Sequence, residues 1–299
     1  SEPLLDMVDS GKIGIMQAAN SPFLNRTLQS YAVGSVFKPV LAAAALEAGL
    51  QPVFECTGAV VVDGQIFRCA GGVPHGQVDL AAALEKSCNG YFIRLGQQLG
   101  AEKLLDAAKV FGFGQSLPLA EGLAAEAGQL PTPQELAQSG QLANFSFGQG
   151  SLLATPLQVA ALFNTIAADG VYRAPYVLQA TLDETTGQPM ETLSHPRGRR
   201  VLPARSAALL RDMLVQVVQQ GTAQDAAGLP GGAGGKTGTA QTGQFTPEGT
   251  ERCNLWFAGF WPAEKPRYTI VVLQDGAVHT AYSGAAIFAQ VCAALEAAG

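Results

Sequence analysis

Tyr31-Ala-Val-Gly-Ser-Val-Phe-Lys-Pro39 runs without a break into Val40-Leu-Ala-Ala-Ala-Ala-Leu-Glu-Ala-Gly-Leu50. The second half is Ala/Leu-rich and strongly helix-forming, which predicts a helix starting near Ser35 and ending near Gly49. Ser35 and Lys38 stand three apart, so that helix sets both side chains on one face, within reach of each other. A serine hydroxyl is a poor nucleophile until a base takes its proton, and a neutral lysine can do so. The helix N-terminus adds N–H groups that favour negative charge developing beside the serine. Taken alone, the pattern also fits an N-capping serine followed by a surface lysine. Partners elsewhere in the chain have to decide.

The chain has 299 residues, 47% hydrophobic and 14% charged, which describes an ordered globular protein with room for one large domain or two small ones. A net charge of −6 without any Lys/Arg cluster argues against a nucleic-acid partner. The sequence holds no apolar run of the ~20 residues a membrane-spanning helix needs. Ser1-Glu-Pro opens polar and acidic, unlike a signal peptide. The five cysteines (Cys56, Cys69, Cys88, Cys253, Cys292) include no Cys-x-x-Cys pair, and a disulfide framework is not expected in so large a chain. Cys56 and Cys69 flank Val60-Val-Val-Asp-Gly-Gln-Ile66, a hairpin-like segment, so they either face each other or stand as two half-buried thiols. His75, His195 and His279 lack metal-ligand spacing, and neither a metal site nor a cofactor is read from them.

Periodicity and breakers outline the rest. A strand is expected over 12–18, and a short β-rich piece at 59–67. Residues 78–99 are helical in pattern but interrupted by Ser87-Cys88-Asn89-Gly90, where Asn-Gly suits a tight turn. In that turn Ser87 can relay a proton, and the Asn89 amide can hold both a lysine and a substrate carbonyl. A helix over 101–111 follows. Residues 114–140 read as a Gly/Pro-punctuated loop with a short helix at 133–139. Thr155-Pro156 opens a helix to about Ala168. Residues 204–220 form an amphipathic helix with Leu209, Leu210, Met213, Leu214 and Val217 on one stripe and Gly221 as its C-cap. Strands at 254–261 and 267–274 share a short turn, and a helix over 282–298 closes the chain.

Pro230-Gly-Gly-Ala-Gly-Gly-Lys-Thr237 approaches the phosphate-binding Gly-x4-Gly-Lys-Thr loop. Pro230 stands where the first glycine belongs, 223–229 is no apolar strand, and Gly238-Thr-Ala-Gln-Thr-Gly243 is a poor helix start. The better reading makes Lys236-Thr237-Gly238-Thr239 the start of a cleft-lining strand. With those at 254–261 and 267–274 it forms an antiparallel meander. Lys236 and Thr237 then suit a carboxylate, Gly238 lets a substrate backbone approach, and the Thr239 N–H pairs with the Ser35 N–H as an oxyanion hole.

Ser35-x-x-Lys38, Ser87-x-Asn89 and Lys236-Thr-Gly238, in that order, form the motif set of penicillin-binding proteins and serine β-lactamases. Over essentially its whole length the sequence resembles the transpeptidase domain of class B penicillin-binding proteins. Asn25-Arg26, His75-Gly76, Phe147-Gly-Gln-Gly150, Thr155-Pro-Leu-Gln158 and Gly221-Thr-Ala223 extend the resemblance.

The resemblance implies an α/β (α+β) fold, an antiparallel sheet sandwiched by helices. It implies a single domain over 1–299, with a sheet lobe at about 1–50 and 200–299 and a mostly helical lobe at about 51–200. It implies a D,D-transpeptidase acting on D-Ala-D-Ala stem peptides of peptidoglycan. Ser35 is the expected nucleophile and Lys38 its base, with its pKa lowered from about 10.4 by burial and the charge of Lys236. Ser87 is the expected proton shuttle, and Asn89 the group that positions Lys38 and substrate. Lys236, Thr237 and Thr239 are the expected carboxylate site, approached past Gly238. β-Lactams are expected as covalent inhibitors at Ser35, other cell-wall synthesis proteins as partners, and the extracytoplasmic face as the location. The anchor and non-catalytic domain usual in class B proteins are not in the sequence. Ala32-Val33 stands where a proline is common. A class A β-lactamase carries Glu-x-x-Leu-Asn between the second and third motifs; Glu135-Leu-Ala-Gln-Ser139 is not that sequence, which favours slow deacylation. The rival readings are a serine β-lactamase, a D,D-carboxypeptidase and a non-turnover β-lactam sensor. An α/β-hydrolase is disfavoured because no Gly-x-Ser-x-Gly elbow occurs.

Overall fold

A computed structural model of the chain describes residues 24–178, 180–192, 196–278 and 280–298. The expected strand at 12–18 lies outside them, as do His195 and His279. Strand β1 (Tyr31–Ala32) leads into a 3-10 turn at Gly34–Phe37 and then helix α1 (Lys38–Glu47). The α-helix therefore opens at Lys38, three residues later than expected, with Pro39 in the first turn, where a missing N–H is tolerated. From Val40 to Ala45, α1 is buried on nearly every side, which matches its uniformly apolar Ala/Leu composition.

Next comes a small strand layer: β2 (Phe54–Cys56), the hairpin β3 (Ala59–Val62) and β4 (Gln65–Arg68), and β5 (Gly76–Val78), which returns antiparallel to β2. The interrupted helical stretch resolves into α2 (Leu80–Glu85), capped by Asp79, and α3 (Asn89–Leu99), capped by the Cys88 sulfur. Helix α4 (Ala101–Val110) runs as expected.

The segment read as a loop is more ordered than its composition suggested. It contains the hairpin β6 (Leu117–Ala120) and β7 (Leu123–Ala125), helix α5 (Pro133–Leu136) and the unforeseen helix α6 (Ser139–Ser146). Helix α6 packs on α3, so tertiary contact supplies what its Ser, Gly and Asn residues do not. Strand β8 (Leu153–Ala154) pairs with β1, and α7 (Pro156–Ala167) begins with a reciprocal Thr155–Gln158 capping box.

Short strands β9 (Val171–Tyr172), β10 (Ala180–Leu182), β11 (Pro189–Thr192) and β12 (Arg199–Arg200) form two antiparallel pairs before α8 (Ala204–Gln219). The buried stripe of α8 is Leu210, Leu214, Val217 and Val218; Leu209 points outward at 46% exposure, a correction to the expected stripe. Gly221 is not a left-handed cap either. A Cβ there would lie 2.5 Å from the Glu85 carbonyl oxygen, so close approach is what excludes a side chain.

Strands β13 (Gly234–Phe245), β14 (Glu251–Trp261) and β15 (Tyr268–Ala277) form the expected antiparallel meander, and α9 (Gly284–Ala297) follows. On one face of β14 the Phe257 and Phe288 rings meet at 4.8 Å, which seats α9. On the other face the Trp256 indole donates to the Ala32 carbonyl at 2.9 Å, tying the sheet to the segment before Ser35. The fold is thus a mixed one, an antiparallel sheet sandwiched by helices. Among the described residues no helix is long and apolar enough to cross a membrane.

Candidate active site

The 3-10 turn carrying Ser35 is wedged between two backbones. Gly34 has φ +66°, and a Cβ on it would lie 2.6 Å from the Thr239 carbonyl oxygen of β13. From the other side the Gly34 N–H donates to the Gly148 carbonyl at 2.8 Å, and a Cβ on Gly148 would lie 2.0 Å from the Gly34 oxygen. Gly148 is the first glycine of Phe147-Gly-Gln-Gly150, so this stretch holds the Ser35 turn in place. Gly238 completes the contact, since a Cβ there would sit 3.1 Å from the Val36 nitrogen.

Lys38 lies one turn beyond Ser35 and is fully buried. Its Nζ donates to Asn89 Oδ1 at 2.7 Å, to the Ser87 carbonyl at 2.8 Å and to Ser87 Oγ at 3.1 Å. Ser87 reaches this position through a left-handed φ of +53°, uncommon for a non-glycine residue. Asn89 opens α3, and its Nδ2 donates to the Arg68 carbonyl at 2.9 Å. Burial pulls the Lys38 ammonium down to about 7, while the Cys88 and Cys69 sulfurs behind it act in the opposite sense. The expected lowering is present, with desolvation as its cause.

Lys236 is also fully buried, near the start of β13. Burial first, and then the positive charge of Lys38, hold it well below the ordinary lysine range. The repulsion expected between the two lysines thus acts on Lys236. Its Nζ donates to the Thr237 carbonyl at 3.1 Å and to Thr237 Oγ1 at 3.4 Å. Thr237 Oγ1 is in turn 2.7 Å from Thr222 Oγ1.

Ser35, Ser87, Asn89, Thr237, Gly238 and Thr239 line one cleft of about 660 Å³, with Lys38 and Lys236 buried around it. The structure therefore brings all eight anticipated residues together. Chemically, the arrangement offers a half-buried hydroxyl, an amine that sheds its proton near neutrality, and a second, polar wall on an edge strand. The profile of the penicillin binding protein transpeptidase domain matches residues 7–294. The chain belongs to that family.

Peptidoglycan D,D-transpeptidase PbpA of Mycolicibacterium smegmatis is 33% identical over 280 residues, which cover 91% of this chain and 55% of the relative. Among solved structures, the D,D-transpeptidase domain of a peptidoglycan glycosyltransferase from Eggerthella lenta superposes with a TM-score of 0.84 at 28% identity, covering 97% of this chain and 72% of that one. Penicillin-binding protein A from M. tuberculosis, solved as a ceftriaxone acyl-enzyme complex, also gives 0.84, at 27% identity, covering 100% and 67%. The chain spans about half the length of the curated relatives it matches.

This transpeptidase-family cleft also holds residues not assigned a role from sequence. Thr222, Asn144 and Gln149 line it, and Gln149 Nε2 donates to the Thr239 carbonyl at 3.4 Å. Gln149 and Thr222 lie inside stretches noted for family resemblance, whereas nothing in the spacing of Asn144 marks it. The cysteines also converge unexpectedly. Cys56 and Cys69 face each other at 3.7 Å and are buried, and His75 and Cys88 adjoin them. The scattered spacing of histidines hid this, because the strands between them fold back on one another.

Proposed function

We propose that this domain is a peptidoglycan D,D-transpeptidase that forms a serine acyl-enzyme at Ser35, on the extracytoplasmic side of the membrane. The observation that carries it is Lys38: a buried amine, lowered to about 7, one turn from Ser35 and held by Ser87 and Asn89 at the cleft. Neutral Lys38 takes the Ser35 proton as Oγ attacks the penultimate D-Ala carbonyl. The Ser35 and Thr239 N–H groups receive the oxyanion. The C–N bond to the terminal D-Ala then breaks, its nitrogen receiving a proton through Ser87 from Lys38, and an ester to Ser35 remains. An amine of a second stem peptide attacks that ester, its lost proton passes back through Lys38 to Ser35 Oγ, and a cross-link results.

Lys236, Thr237 and Thr239 receive the terminal carboxylate, which restores positive charge to Lys236 as it binds. Gly238 lets the substrate backbone lie along the edge of β13. The activity of the relatives as peptidoglycan D,D-transpeptidases supports the substrate class, and the acyl-enzyme complex of the M. tuberculosis protein supports covalent trapping by β-lactams. Other cell-wall synthesis proteins are its proposed partners.

The test is an intact-mass time course with benzylpenicillin on wild type and Ser35→Ala. An adduct of whole-drug mass on wild type only, persisting for many minutes, is expected. An adduct that clears as drug is consumed would make the domain a β-lactamase. No adduct on folded wild type would overturn the reading.

A further inference from the structure

We infer that Cys56, Cys69, His75 and Cys88 form a tetrahedral metal site, and that its ion is Zn²⁺. The four ligand atoms all lie within 4.8 Å of one another. Cys56 and Cys69 Sγ are 3.7 Å apart, Cys69 and Cys88 Sγ 3.9 Å, and Cys56 Sγ is 3.4 Å from His75 Nδ1. With Zn–S near ~2.3 Å and Zn–N near ~2.05 Å, a regular tetrahedron has edges of roughly 3.8 Å for S···S and roughly 3.5 Å for S···N. The 3.7 and 3.9 Å S···S edges and the 3.4 Å S···N edge match these values, and the remaining pairs lie within 4.8 Å. Three thiolates and one imidazole are soft, borderline ligands that select zinc over magnesium or calcium.

The donors come from four places: the end of β2, the residue after β4, the approach to β5 and the cap of α3. The backbone fixes this convergence. The Cys69 N–H donates to the Gly58 carbonyl at 2.9 Å, and the His75 N–H to the Cys56 carbonyl at 3.1 Å. The sulfurs are further oriented by backbone donors, with the Tyr91 N–H on Cys88 Sγ at 3.4 Å and the Gly90 N–H on Cys69. Such N–H···S bonds steady thiolate ligands. All three cysteines are at most 5% exposed, so water has little access to compete.

The position gives the ion a task. Cys88 lies between Ser87 and Asn89, and Cys69 follows Arg68, whose carbonyl accepts from Asn89. A single ion at these ligands clamps both supports of the Lys38 amine. It also leaves three thiolates and a dication with one net negative charge behind Lys38. Ser87 and Asn89 are thereby positioned through Cys88, and the ion itself touches no substrate.

The experiment measures metal per chain by plasma mass spectrometry on full-length wild type, loaded with Zn²⁺ and freed of excess by gel filtration. Replacement by Co²⁺ then reports geometry through visible d–d bands and sulfur-to-cobalt charge transfer. One zinc per folded chain and a tetrahedral cobalt spectrum are expected, with zinc lost in the Cys56→Ser/Cys69→Ser double variant and kept in His75→Cys. Benzylpenicillin acylation of wild type should slow at least several-fold after chelation and recover on adding Zn²⁺. Folded wild type that retains no ion would overturn the proposal. So would an ion retained equally by the double variant, or a Cys56–Cys69 disulfide that persists alongside full acylation. Metal content is read without any substrate, so its outcome is separate from that of the acylation test.

Discussion

Lys38 Nζ and Asn89 Oδ1 lie 2.7 Å apart in a setting where the lysine is fully buried. Asn89 is a neutral acceptor, so it orients the amine without adding the charge that would keep it protonated. Asn89→Asp places a carboxylate at the same distance and raises the Lys38 pKa. The expected outcome is an acylation pH profile displaced upward by about one unit or more, with slower acylation at neutral pH. A nitrocefin or penicillin acylation series across pH checks it; an unshifted profile would show that Lys38 is not the titrating base.

In the wild-type domain the same group sets the sign of the profile. Lys38 works as a base only when neutral, and burial brings its pKa to about 7. Facing it are Lys236 from β13 and the Cys88 and Cys69 sulfurs from the α3 cap and the residue after β4. Acylation should therefore be suppressed below about pH 7, rise through it and level off above. Rates measured roughly two units on either side suffice, and a flat line would remove Lys38 from the role.

Ser35→Ala should abolish acylation yet leave thermal stability within about 1 kcal/mol of wild type. Ser35 is half-buried, and its carbonyl, which accepts the Lys38 N–H, is untouched by the change. Melting and intact-mass measurements on one preparation decide it. A large loss of stability would mean that the hydroxyl holds the turn together.

Gly34→Ala should behave in the opposite way. Its φ of +66° and the 2.6 Å approach to the Thr239 oxygen mean that a methyl group must push β13 away from the Ser35 turn. A cost of about 1–3 kcal/mol is expected from strain alone, together with at least a tenfold loss of acylation. A stable, fully active Gly34→Ala would contradict the tight contact between turn and strand.

Much of this was readable in the residues. α1 follows from its Ala/Leu helix propensity, α7 from its Thr155-Pro156 start, α8 from its apolar stripe and the meander from its apolar runs, and the site residues follow from three short motifs in one order. What could not be read has a physical cause. Helix α6 forms from Ser139 to Ser146 because α3 offers it a packing surface, and its local propensities do not announce it. Leu209 fits a helical stripe on paper, yet the seam between α8 and its neighbours is narrower than the apolar arc. Gly221 looks like a cap because glycine caps are common, whereas here the Glu85 carbonyl excludes a Cβ. The convergence of Cys56, Cys69, His75 and Cys88 depends on the β2–β5 pairing, which is nonlocal and leaves no periodic trace.

Thr222 lines the cleft although no motif of the active-site set contains it. Its hydroxyl lies 2.7 Å from Thr237 Oγ1, and Thr237 in turn receives the Lys236 amine. Thr222 thus orients a carboxylate-binding hydroxyl from outside the strand. Thr222→Val keeps the branched shape and removes one neutral hydrogen bond, a loss of about 1 kcal/mol, or roughly fivefold in binding. Because Thr222 is exposed, melting temperature should hardly move. The loss should fall on the concentration dependence of acylation rather than on its limiting rate, since Lys38 and Ser35 are untouched. Stopped-flow acylation over a range of β-lactam concentrations separates the two. A drop confined to the limiting rate would place Thr222 in the chemical step instead.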